Sequence, residues 1–595
     1  MPDNRALADR FDEMASALEL LGANRFKVNA NSRVARIVRD RTDDVAAFVR
    51  DDPDTAIARL SGWDGIGKGS AEKIVEFVET GAIAEHASLR DRVPAGLFDV
   101  LDVPGIGPKA ARAMWQNLGV DSVDALEQAL DTPAFAALPR MGKKTIDNIR
   151  RALVWRKQAG GRTPIGRARP LARDLAARLG ALDGVEQIDF AGSLRRGRET
   201  IGDLDFLVAC AEDRADAVRE AFIGMPEVQE VLANGPRKCS VRLAAADGVA
   251  MQADLRLVPR DVYGAALMYF TGSKEHNVLL RERAIQRDMR LNEYGLFEGT
   301  DERPQDDGAA PIAAADEIDV YRALGLPWIP PELREDRGDS LERVGDPVRL
   351  ETLIRLEDIR AELHAHTTAS DGVLSIDALA DEAVARGFHT IAVTDHSQSA
   401  AVANGLSPAR LREHIAAVRD ADARRDDIRI LAGAEVDILA DGRLDYDDDL
   451  LAALDLVVAS PHVALRQAPE EATARLLAAI RHPLVHILGH PTGRIIQKRE
   501  GLAPDMEQLF AAAVEHDVAL ELNANWHRLD LRDVHLRGAL AAGCKIAINT
   551  DAHDAPHFDF LDYGVVTARR AGVSRDACVN AWDAGRLHDW LQAKR

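Results

Sequence analysis

Asp203 and Asp205, separated by one residue, follow a short basic segment and are candidates to bind a cation. Residues 192–205 read G-S-L-R-R-G-R-E-T-I-G-D-L-D, and the apolar residues that follow predict a strand with both aspartates on one face. Adjacent carboxylates repel each other, and Mg²⁺ takes such oxygens together with substrate phosphates. The Gly192-Ser193 turn and Arg196 can hold phosphate. The combination suits nucleotidyl transfer; the alternative is a solvated acidic turn beside a basic loop.

A second set of candidate ligands lies in the C-terminal third. Alternation in A-E-L-H-A-H (361–366) places His364 and His366 on one strand face, as a pair of metal ligands. Further apolar runs end in His, Asp or Glu, at 391–397, 430–438, 456–462, 485–494 and 546–553. Helix-like stretches follow most of these runs. Ligands at the C-terminal ends of repeated β-α units predict a barrel with its site on one face, and His with carboxylate suits Zn²⁺ or Mn²⁺.

Three glycine-punctuated segments in the N-terminal third each predict a helix, a tight turn and a second helix. They span residues 62–74, 103–111 and 138–146. The first N–H groups of the second helix can hold a DNA phosphate, and nearby lysines add positive charge. The residues concerned are Gly105, Gly107, Lys68, Lys109 and Lys143. A plain helical hairpin without a DNA contact is the alternative interpretation.

The composition predicts several globular domains. A chain of 595 residues exceeds the usual size of one domain, and no apolar run is long enough to cross a bilayer. Four scattered cysteines indicate no disulfide framework, so we expect a cytoplasmic protein. The net charge is −22, but residues 1–160 carry 23 Lys+Arg against 24 Asp+Glu and are nearly neutral. The N-terminal third is therefore the part best suited to meet a polyanion.

The elements that must position these residues can be placed coarsely. Residues 5–50 have apolar residues at helical spacing and predict two or three amphipathic helices. The segment Q-A-D-L-R-L-V (252–258) predicts a second strand that carries Asp254. Residues 300–358 are rich in Pro and Asp and predict an extended linker.

Taken together, these motifs resemble the family X DNA polymerases, of the DNA polymerase beta type, with a C-terminal PHP (polymerase and histidinol phosphatase) domain. The palm motif of that family, G-S-x-R-R-G-x-x-x-x-G-D-x-D, matches residues 192–205 at each fixed position. The motifs Y-F-T-G-S (269–273), N-V-L-L-R (277–281) and L-N-E-Y (291–294) follow in the family's order. The glycine-punctuated segments resemble helix-hairpin-helix motifs. The order of the parts matches bacterial and archaeal members.

The resemblance implies a multidomain α plus α/β fold. It implies a helical N-terminal region, a nucleotidyltransferase palm with a thumb, and a C-terminal distorted seven-stranded β/α PHP barrel. The expected divisions are an 8-kDa-like DNA-binding domain at 1–90, helix-hairpin-helix fingers at 91–160, the palm at 161–260, the thumb at 261–330, a linker at 331–358 and the PHP metal-dependent phosphoesterase domain at 359–595.

The resemblance also implies roles at the polymerase site. Asp203, Asp205 and Asp254 would hold Mg²⁺ or Mn²⁺, and Asp254 would help to deprotonate the primer 3′-hydroxyl. Lys73 would be the Schiff-base lysine of a 5′-deoxyribose-phosphate lyase; the alternative is a lysine that contacts the DNA backbone. The implied nucleotide-binding residues are Gly192, Ser193, Arg196, Gly202, Tyr269, Phe270, Gly272 and Asn277, and Arg281 is implied to reach the template strand.

At the barrel, the resemblance implies three Zn²⁺ or Mn²⁺ ions. The implied ligands are His364, His366, Glu435 and Asp551 for the first ion, Glu435, His462 and His490 for the second, and Asp371, His396 and His553 for the third. Arg494 would bind the substrate phosphate.

The implied function is filling of short gaps in DNA repair, on gapped or nicked DNA with dNTPs. The PHP domain would supply a 3′→5′ exonuclease, with 3′-phosphatase or abasic-site cleavage as further activities. We expect a monomer in the cytoplasm, associated with the nucleoid and with no membrane partner. One alternative is a DNA-end-binding PHP nuclease or phosphatase with an inactive polymerase core; another is a fused small-molecule phosphatase.

Overall fold

The computed structural model contains two compact units, Met1–Gly161 and Arg162–Arg595. It describes residues 4–594 apart from 40–44, 54, 64, 91, 95, 102, 104–105, 140, 144, 148, 151–152, 154–161, 245–249, 300, 302–303, 307 and 336. Within the described residues, every helix is too short or too polar to cross a membrane.

The first unit is helical where it is described. Its first three helices confirm the amphipathic pattern, because Phe11 of the first, Val38 of the second and Val49 of the third are buried in one apolar core. The helices of this unit are Asn4–Leu20, Arg25–Arg39, Val45–Asp51, Ala56–Ser61, Lys68–Thr80, Ala84–Arg90, Gly96–Leu101, Pro108–Leu118, Val123–Ala129 and Pro133–Ala136.

Two of the predicted helical hairpins are described in full or nearly so. In the first, Gly65 has a φ of +88°, and a Cβ there would lie 2.6 Å from the Arg33 side chain, so the turn requires glycine. Gly67 and Gly107 immediately precede the second helices of the two hairpins, and a Cβ at either would meet open space. Both helix N-termini are thus accessible from outside. Gly105 lies outside the described residues, as does part of the third segment.

The palm is a five-stranded sheet in the second unit. Its strand order is β2-β4-β7-β6-β5, with β4 and β7 parallel and the other neighbours antiparallel. Strand β4 confirms the predicted strand after residue 202, and β7 confirms the one at 252–258. The strands are β2 (Val185–Phe190), β4 (Asp203–Cys210), β5 (Val228–Asn234), β6 (Lys238–Ala244) and β7 (Ala250–Val258), and a small pair is formed by β1 (Thr163–Pro164) and β3 (Thr200–Ile201).

The thumb region packs around helices Tyr263–Thr271 and Lys274–Ile285 and the hairpin of β8 (Met289–Asn292) and β9 (Gly295–Glu298). The expectation of an extended linker at 331–358 was wrong. This segment contains short helices, and its Leu341, Val344 and Leu353 are buried in the thumb core. Burial of these apolar side chains stabilises the segment by more than its prolines and aspartates disfavour regular structure.

The C-terminal part is a seven-stranded parallel barrel, as expected. The strands follow chain order from β10 to β16, and a bridge between Ala365 and Ala552 nearly closes the ring. The strands are β10 (Ala361–Ala365), β11 (Thr390–Val393), β12 (Arg429–Asp437), β13 (Leu456–Ser460), β14 (Ile487–Leu488), β15 (Ala519–Asn523) and β16 (Ile546–Asn549). Each strand is buried on both faces except for the first residue of β12, which fits a sheet covered by helices.

The remaining α-helices of the second unit are Ile165–Gly180, Gly192–Arg195, Ala215–Ile223, Glu317–Ala323, Leu341–Val344, Pro347–Thr352, Ile376–Ala385, Pro408–Ala423, Asp448–Leu451, Pro469–Ile480, Met506–Glu515, Asp533–Ala542, Leu561–Ala571 and Ala584–Gln592. Short 3₁₀ turns occur at Glu212–Arg214, Arg260–Val262, Pro331–Leu333, Leu356–Asp358, Ala401–Ala403, Ala555–Phe560 and Val579–Ala581. All four cysteines are free and buried.

Candidate functional site

Three carboxylates meet on two neighbouring strands of the palm. Asp205 on β4 stands opposite Asp254 on β7 in the parallel register, and Asp203 is on the same face as Asp205. Gly192 has a φ of +59°, and a Cβ there would lie 2.3 Å from Asp205 Oδ2. The glycine is needed because the turn at 192–195 passes directly over this carboxylate.

The electrostatics of this group favour a divalent cation. Burial and the neighbouring charges of Asp203 and Asp254 raise the pKa of Asp205 to about 7. Partial desolvation and the charge of Asp254 also raise the pKa of Asp203. Two aspartates that resist ionisation beside a third carboxylate form a site in which a hard cation would relieve the repulsion. The residues present therefore fit Mg²⁺ or Mn²⁺.

Asp254 is held ionised by its own neighbours. Burial alone would raise its pKa, but hydrogen bonds from Lys238, Gln252 and Ser240 outweigh it and lower the pKa. Lys238 Nζ lies 2.6 Å from Asp254 Oδ2, and Gln252 Nε2 donates to Oδ1 at 2.9 Å. Lys238 was not among the predicted site residues, because it lies on β6 and only the sheet register brings it to the site.

The predicted nucleotide residues surround the same turn. Arg196 donates from Nη1 to the Thr271 carbonyl at 2.6 Å, next to Gly272, and from Nε to Glu335 at 3.0 Å. Ser193 is on the 192–195 turn, and Gly202 directly precedes β4. The turn, the start of β4 and the corner at 271–272 thus belong to one region of the molecule.

The aromatic corner is held by contacts within the thumb and by one arginine of the palm. Tyr269 and Phe270 form an edge-to-face pair with ring centroids 5.1 Å apart, and the Arg256 guanidinium lies 4.0 Å from the Phe270 centroid. Asn277 Nδ2 donates to the Tyr269 carbonyl at 2.7 Å. Arg281 is exposed one turn further along the helix, where its Nε donates to the Asn277 carbonyl.

The lysines predicted to meet DNA differ in exposure. Lys68, Lys109 and Lys143 are exposed, whereas Lys73 is half-buried. Lys73 Nζ forms an ion pair with Glu85 at 2.5 Å. Glu85 would have to be displaced before the Lys73 amine could attack a sugar aldehyde.

The predicted barrel ligands converge at the C-terminal ends of the strands. Four interlocking groups of side chains bring ligand atoms within 4.8 Å of one another. These groups are His366, Asp371, His396 and His553; His364, His366 and Asp551; His396, Glu435 and His462; and His364, His490 and Glu521. Each of the nine predicted ligands is therefore in the cluster.

Several ligand atoms in the cluster are buried without a hydrogen-bond partner. They are His364 Nε2, His366 Nδ1, His396 Nδ1 and both carboxylate oxygens of Glu435, although His396 Nδ1 and Glu435 Oε2 are 2.7 Å apart. Buried polar atoms are normally satisfied, so such a concentration calls for a bound group. Imidazole nitrogens and carboxylate oxygens fit Zn²⁺ or Mn²⁺, so the donor set agrees with the implied metals.

Two carboxylates that were not predicted from the sequence orient the histidines. Glu521 on β15 accepts from His364 Nδ1 at 2.7 Å and contacts His490 Nδ1 at 3.1 Å. Asp437 lies 2.9 Å from His462 Nδ1. These contacts turn the Nε2 atoms of the three histidines towards Glu435 Oε1, at 3.2–3.5 Å. The segment A-L-E-L-N (519–523) could have indicated Glu521, because an acidic residue interrupts an apolar strand there.

The protonation states reflect these carboxylates. Burial opposes the charge of His364, yet Glu521, Glu435 and Asp551 raise its pKa well above the usual range. His462 behaves in the same way, with a pKa raised to about 10 by Glu435 and Asp437 against burial. The carboxylates thus supply a strongly negative pocket that a metal cation would also occupy favourably.

Arg494, the predicted phosphate-binding residue of the barrel, is almost fully buried. Its Nη2 donates to the Leu529 carbonyl at 2.6 Å and to Glu199 Oε2 at 2.7 Å. Glu199 belongs to the palm, in the loop between the 192–195 turn and β3. A phosphate that binds this guanidinium must compete with that carboxylate.

Models of four known domain families match parts of the chain. A helix-hairpin-helix domain model matches residues 2–83, and a SAM-like helix-hairpin-helix tandem model matches 98–154. The DNA polymerase beta thumb model matches residues 266–335, and the PHP domain model matches 362–525.

Individual relatives cover either the whole chain or its parts. DNA polymerase lambda of Rattus norvegicus is 27% identical over 46% of this chain and 47% of its own. A probable phosphatase of Thermoanaerobacter sp. is 27% identical over 39% of this chain and 95% of its own. The DNA polymerase/3′-5′ exonuclease PolX of Bacillus subtilis is 37% identical over 96% of both chains. The chain therefore belongs to the family X DNA polymerases that carry a C-terminal PHP domain.

Proposed function

We propose that the chain fills short gaps in DNA at the palm and removes nucleotides from DNA 3′ ends at the barrel. The observation that carries the first activity is the register that sets Asp205 opposite Asp254, with Asp203 on the same face. The observation that carries the second is the convergence of the nine predicted ligands at the mouth of the barrel. The expected domain divisions are part of this proposal, except for the linker at 331–358, which the structure contradicts.

At the palm, the primer 3′-hydroxyl attacks the α-phosphate of a dNTP and pyrophosphate leaves. Asp203, Asp205 and Asp254 would hold the metal ions. When bound, the two Mg²⁺ or Mn²⁺ ions activate the attacking oxygen and neutralise charge on the leaving group. Asp254 favours loss of the hydroxyl proton, because Lys238 and Gln252 keep its carboxylate ionised.

The residues around the turn select and hold the nucleotide. Gly192, Ser193 and Gly202 present backbone and hydroxyl groups to the triphosphate, and Arg196 adds its guanidinium after release from Glu335. The Tyr269–Phe270–Gly272 corner packs against the sugar and disfavours ribonucleotides. Asn277 reads the base edge of the dNTP, and Arg281 contacts the template.

The N-terminal unit holds gapped or nicked DNA through the phosphates of the DNA backbone. The open N-termini after Gly67 and Gly107, with Lys68 and Lys109, supply amide and ammonium groups to phosphates. We also assign Gly105 and Lys143 to this contact with DNA phosphates. Lys73 supplies a lyase function on the same unit once Glu85 releases it. The protein acts as a monomer.

At the barrel, the cluster hydrolyses the terminal phosphodiester. His364, His366, Glu435 and Asp551 would hold one Zn²⁺ or Mn²⁺; Glu435, His462 and His490 would hold a second; and Asp371, His396 and His553 would hold a third. When bound, these metals supply a hydroxide nucleophile at neutral pH and neutralise the phosphate. Glu521 and Asp437 fix the ring orientations, and Arg494 binds the scissile phosphate once Glu199 releases it.

A gap-filling assay with separate variants tests both assignments. A 5′-labelled primer in a one-nucleotide gap is incubated with Mg²⁺ or Mn²⁺, with and without dNTPs. Asp205→Ala is expected to abolish extension but retain shortening, and His364→Ala is expected to do the reverse. Extension by the Asp205→Ala protein at the unsubstituted rate would contradict the palm assignment. Shortening without extension in the unsubstituted and Asp205→Ala proteins, and no shortening in His364→Ala, would leave an exonuclease with an inactive polymerase core.

The similarity to a probable phosphatase favours a second candidate for the barrel, hydrolysis of small phosphate monoesters. Faster His364-dependent hydrolysis of a monoester than of single-stranded DNA would make this the main activity of the barrel.

A further inference from the structure

A basic cleft lies between the palm and the barrel within the second unit. It has a volume of about 450 Å³ and is lined by the palm loop at 197–200, the segment around 335–337 and the start of the barrel helix Asp533–Ala542. Five arginines line it, against three acidic residues. They are Arg198, Arg337, Arg532, Arg537 and Arg570, against Glu199, Glu335 and Asp533. Such a surplus of positive charge stands out in a chain of net charge −22.

The inner arginines of the cleft, Arg570 and Arg337, are paired with carboxylates. Arg570 lies 2.9 Å from Asp533 and 3.1 Å from Glu335, and Arg337 lies 2.7 Å from Asp533. These pairs fix the cleft wall, because side chains from different segments of the chain share two carboxylates. The ion pairs hold the wall of the cleft in place, so its shape does not depend on flexible surface side chains.

The two outer arginines, Arg198 and Arg532, are about half exposed and form no hydrogen bond to a described carboxylate of the cleft. The side chains of Arg198 and Arg532 are 48% and 47% exposed. Arg198 lies 3.6 Å from Glu335, and Arg532 lies 3.9 Å from Glu199, both beyond hydrogen-bond range. Two guanidinium groups at the cleft thus retain donors for a ligand, and the planar fork of arginine matches phosphate oxygens.

The acidic residues of the cleft link it to both proposed catalytic sites. Glu335 accepts from Arg196 at the polymerase site at 3.0 Å. Glu199 accepts from Arg494 at the barrel site at 2.7 Å. The cleft therefore lies between the two phosphate-binding arginines and shares a carboxylate with each.

We infer that this cleft binds the phosphodiester groups of a DNA strand, through Arg198 and Arg532, as the strand passes between the polymerase and exonuclease sites. The inference rests on the proposed function, since only a protein with both sites has a strand to pass. A free triphosphate carries the same chemistry, but the position of the cleft between the two sites favours the continuous strand.

The test measures binding of a short fluorescent single-stranded oligonucleotide by anisotropy, without divalent metal so that no catalysis occurs. Removal of one arginine–phosphate pair lowers the slope of log affinity against log salt by about 0.7, so Arg198→Gln/Arg532→Gln is expected to lower it by about 1.4. The matched control is Arg424→Gln/Arg443→Gln, two arginines with side chains 58% and 77% exposed that pair with Asp377 and Asp441 instead. The control is expected to keep the unsubstituted slope.

Two further measurements make the result decisive. Arg198→Lys/Arg532→Lys keeps both charges and is expected to keep the slope, which separates loss of charge from misfolding. Inorganic triphosphate is titrated calorimetrically into the same proteins. Equal slopes for the Gln variant and its control would overturn the inference. Arg198- and Arg532-dependent triphosphate binding as tight as strand binding would overturn the assignment to a strand. Failure of the proposed function would instead appear as absent extension or shortening in the unsubstituted protein.

Discussion

Replacement of Glu317 by Gln is expected to destabilise the junction of palm and thumb. The Glu317 carboxylate accepts two hydrogen bonds from Arg195 at 2.8 Å, two from Arg334 at 2.8 and 3.3 Å and one from Trp328 at 3.0 Å. The residue is 7% exposed, and Arg334 is 0% exposed. Burial would raise the pKa of Glu317, but the charges and hydrogen bonds of Arg334 and Arg195 lower it.

The expected magnitude follows from the charge that the substitution leaves behind. A glutamine keeps the volume but removes the negative charge, so the fully buried Arg334 faces a neutral amide. Breaking a buried ion pair from one side costs about 3–5 kcal/mol. That cost corresponds to an increase of roughly two to three and a half orders of magnitude in local opening.

Hydrogen exchange measured by mass spectrometry localises the effect. Amides in residues 274–285 and 317–335 are expected to lose protection by this factor, while the N-terminal unit and the barrel keep theirs. The control is Glu342→Gln, because the Glu342 side chain is 64% exposed in its pair with Arg283 and such pairs contribute about 1 kcal/mol or less. Glu317→Gln/Arg334→Met is expected to recover part of the loss. Equal protection in the Glu317→Gln and Glu342→Gln proteins would refute the reasoning.

Three further outcomes are expected. Gly192→Ala should lower gap filling about 100-fold and leave exonuclease activity intact, because its Cβ would displace Asp205; equal loss of both activities would contradict this. Glu521→Gln should weaken metal binding at the barrel 10- to about 100-fold in a competitive chelator titration, and unchanged affinity would remove its orienting role. Burial lowers the pKa of His276 to about 3, so its contribution to stability is present above pH 6.5 and is lost as the pH falls. Between pH 6.5 and 5, thumb stability should fall by about 2 kcal/mol, and His276→Gln should abolish that part of the pH dependence in hydrogen exchange.

The sequence predicted which side chains come together at both candidate sites where a motif is local. The Asp203–Asp205 pair and the 192–195 turn are adjacent in the chain, so strand alternation alone placed them together. The barrel ligands were found because each parallel strand ends on the same face.

Residues whose role depends on register were missed. Lys238 reaches Asp254 only because β6 pairs with β7 in one alignment, and a slip of one residue would turn it to the other face. Glu521 was missed for another reason, since it orients histidines through their Nδ1 atoms and shows no spacing of its own. The connecting segment was mispredicted because its prolines obscured the apolar residues that pack on the thumb.

The pairing of Arg196 with Glu335 and of Arg494 with Glu199 has a consequence for both activities. A phosphate that uses either arginine replaces a charge-assisted hydrogen bond of 3.0 or 2.7 Å within the protein, so its net affinity is lower than the arginine alone would provide. Glu335 also contacts Arg570 and Arg198, and Glu199 lies within 3.9 Å of Arg532. The catalytic arginines and the outer arginines of the cleft are thus arranged around the same two carboxylates.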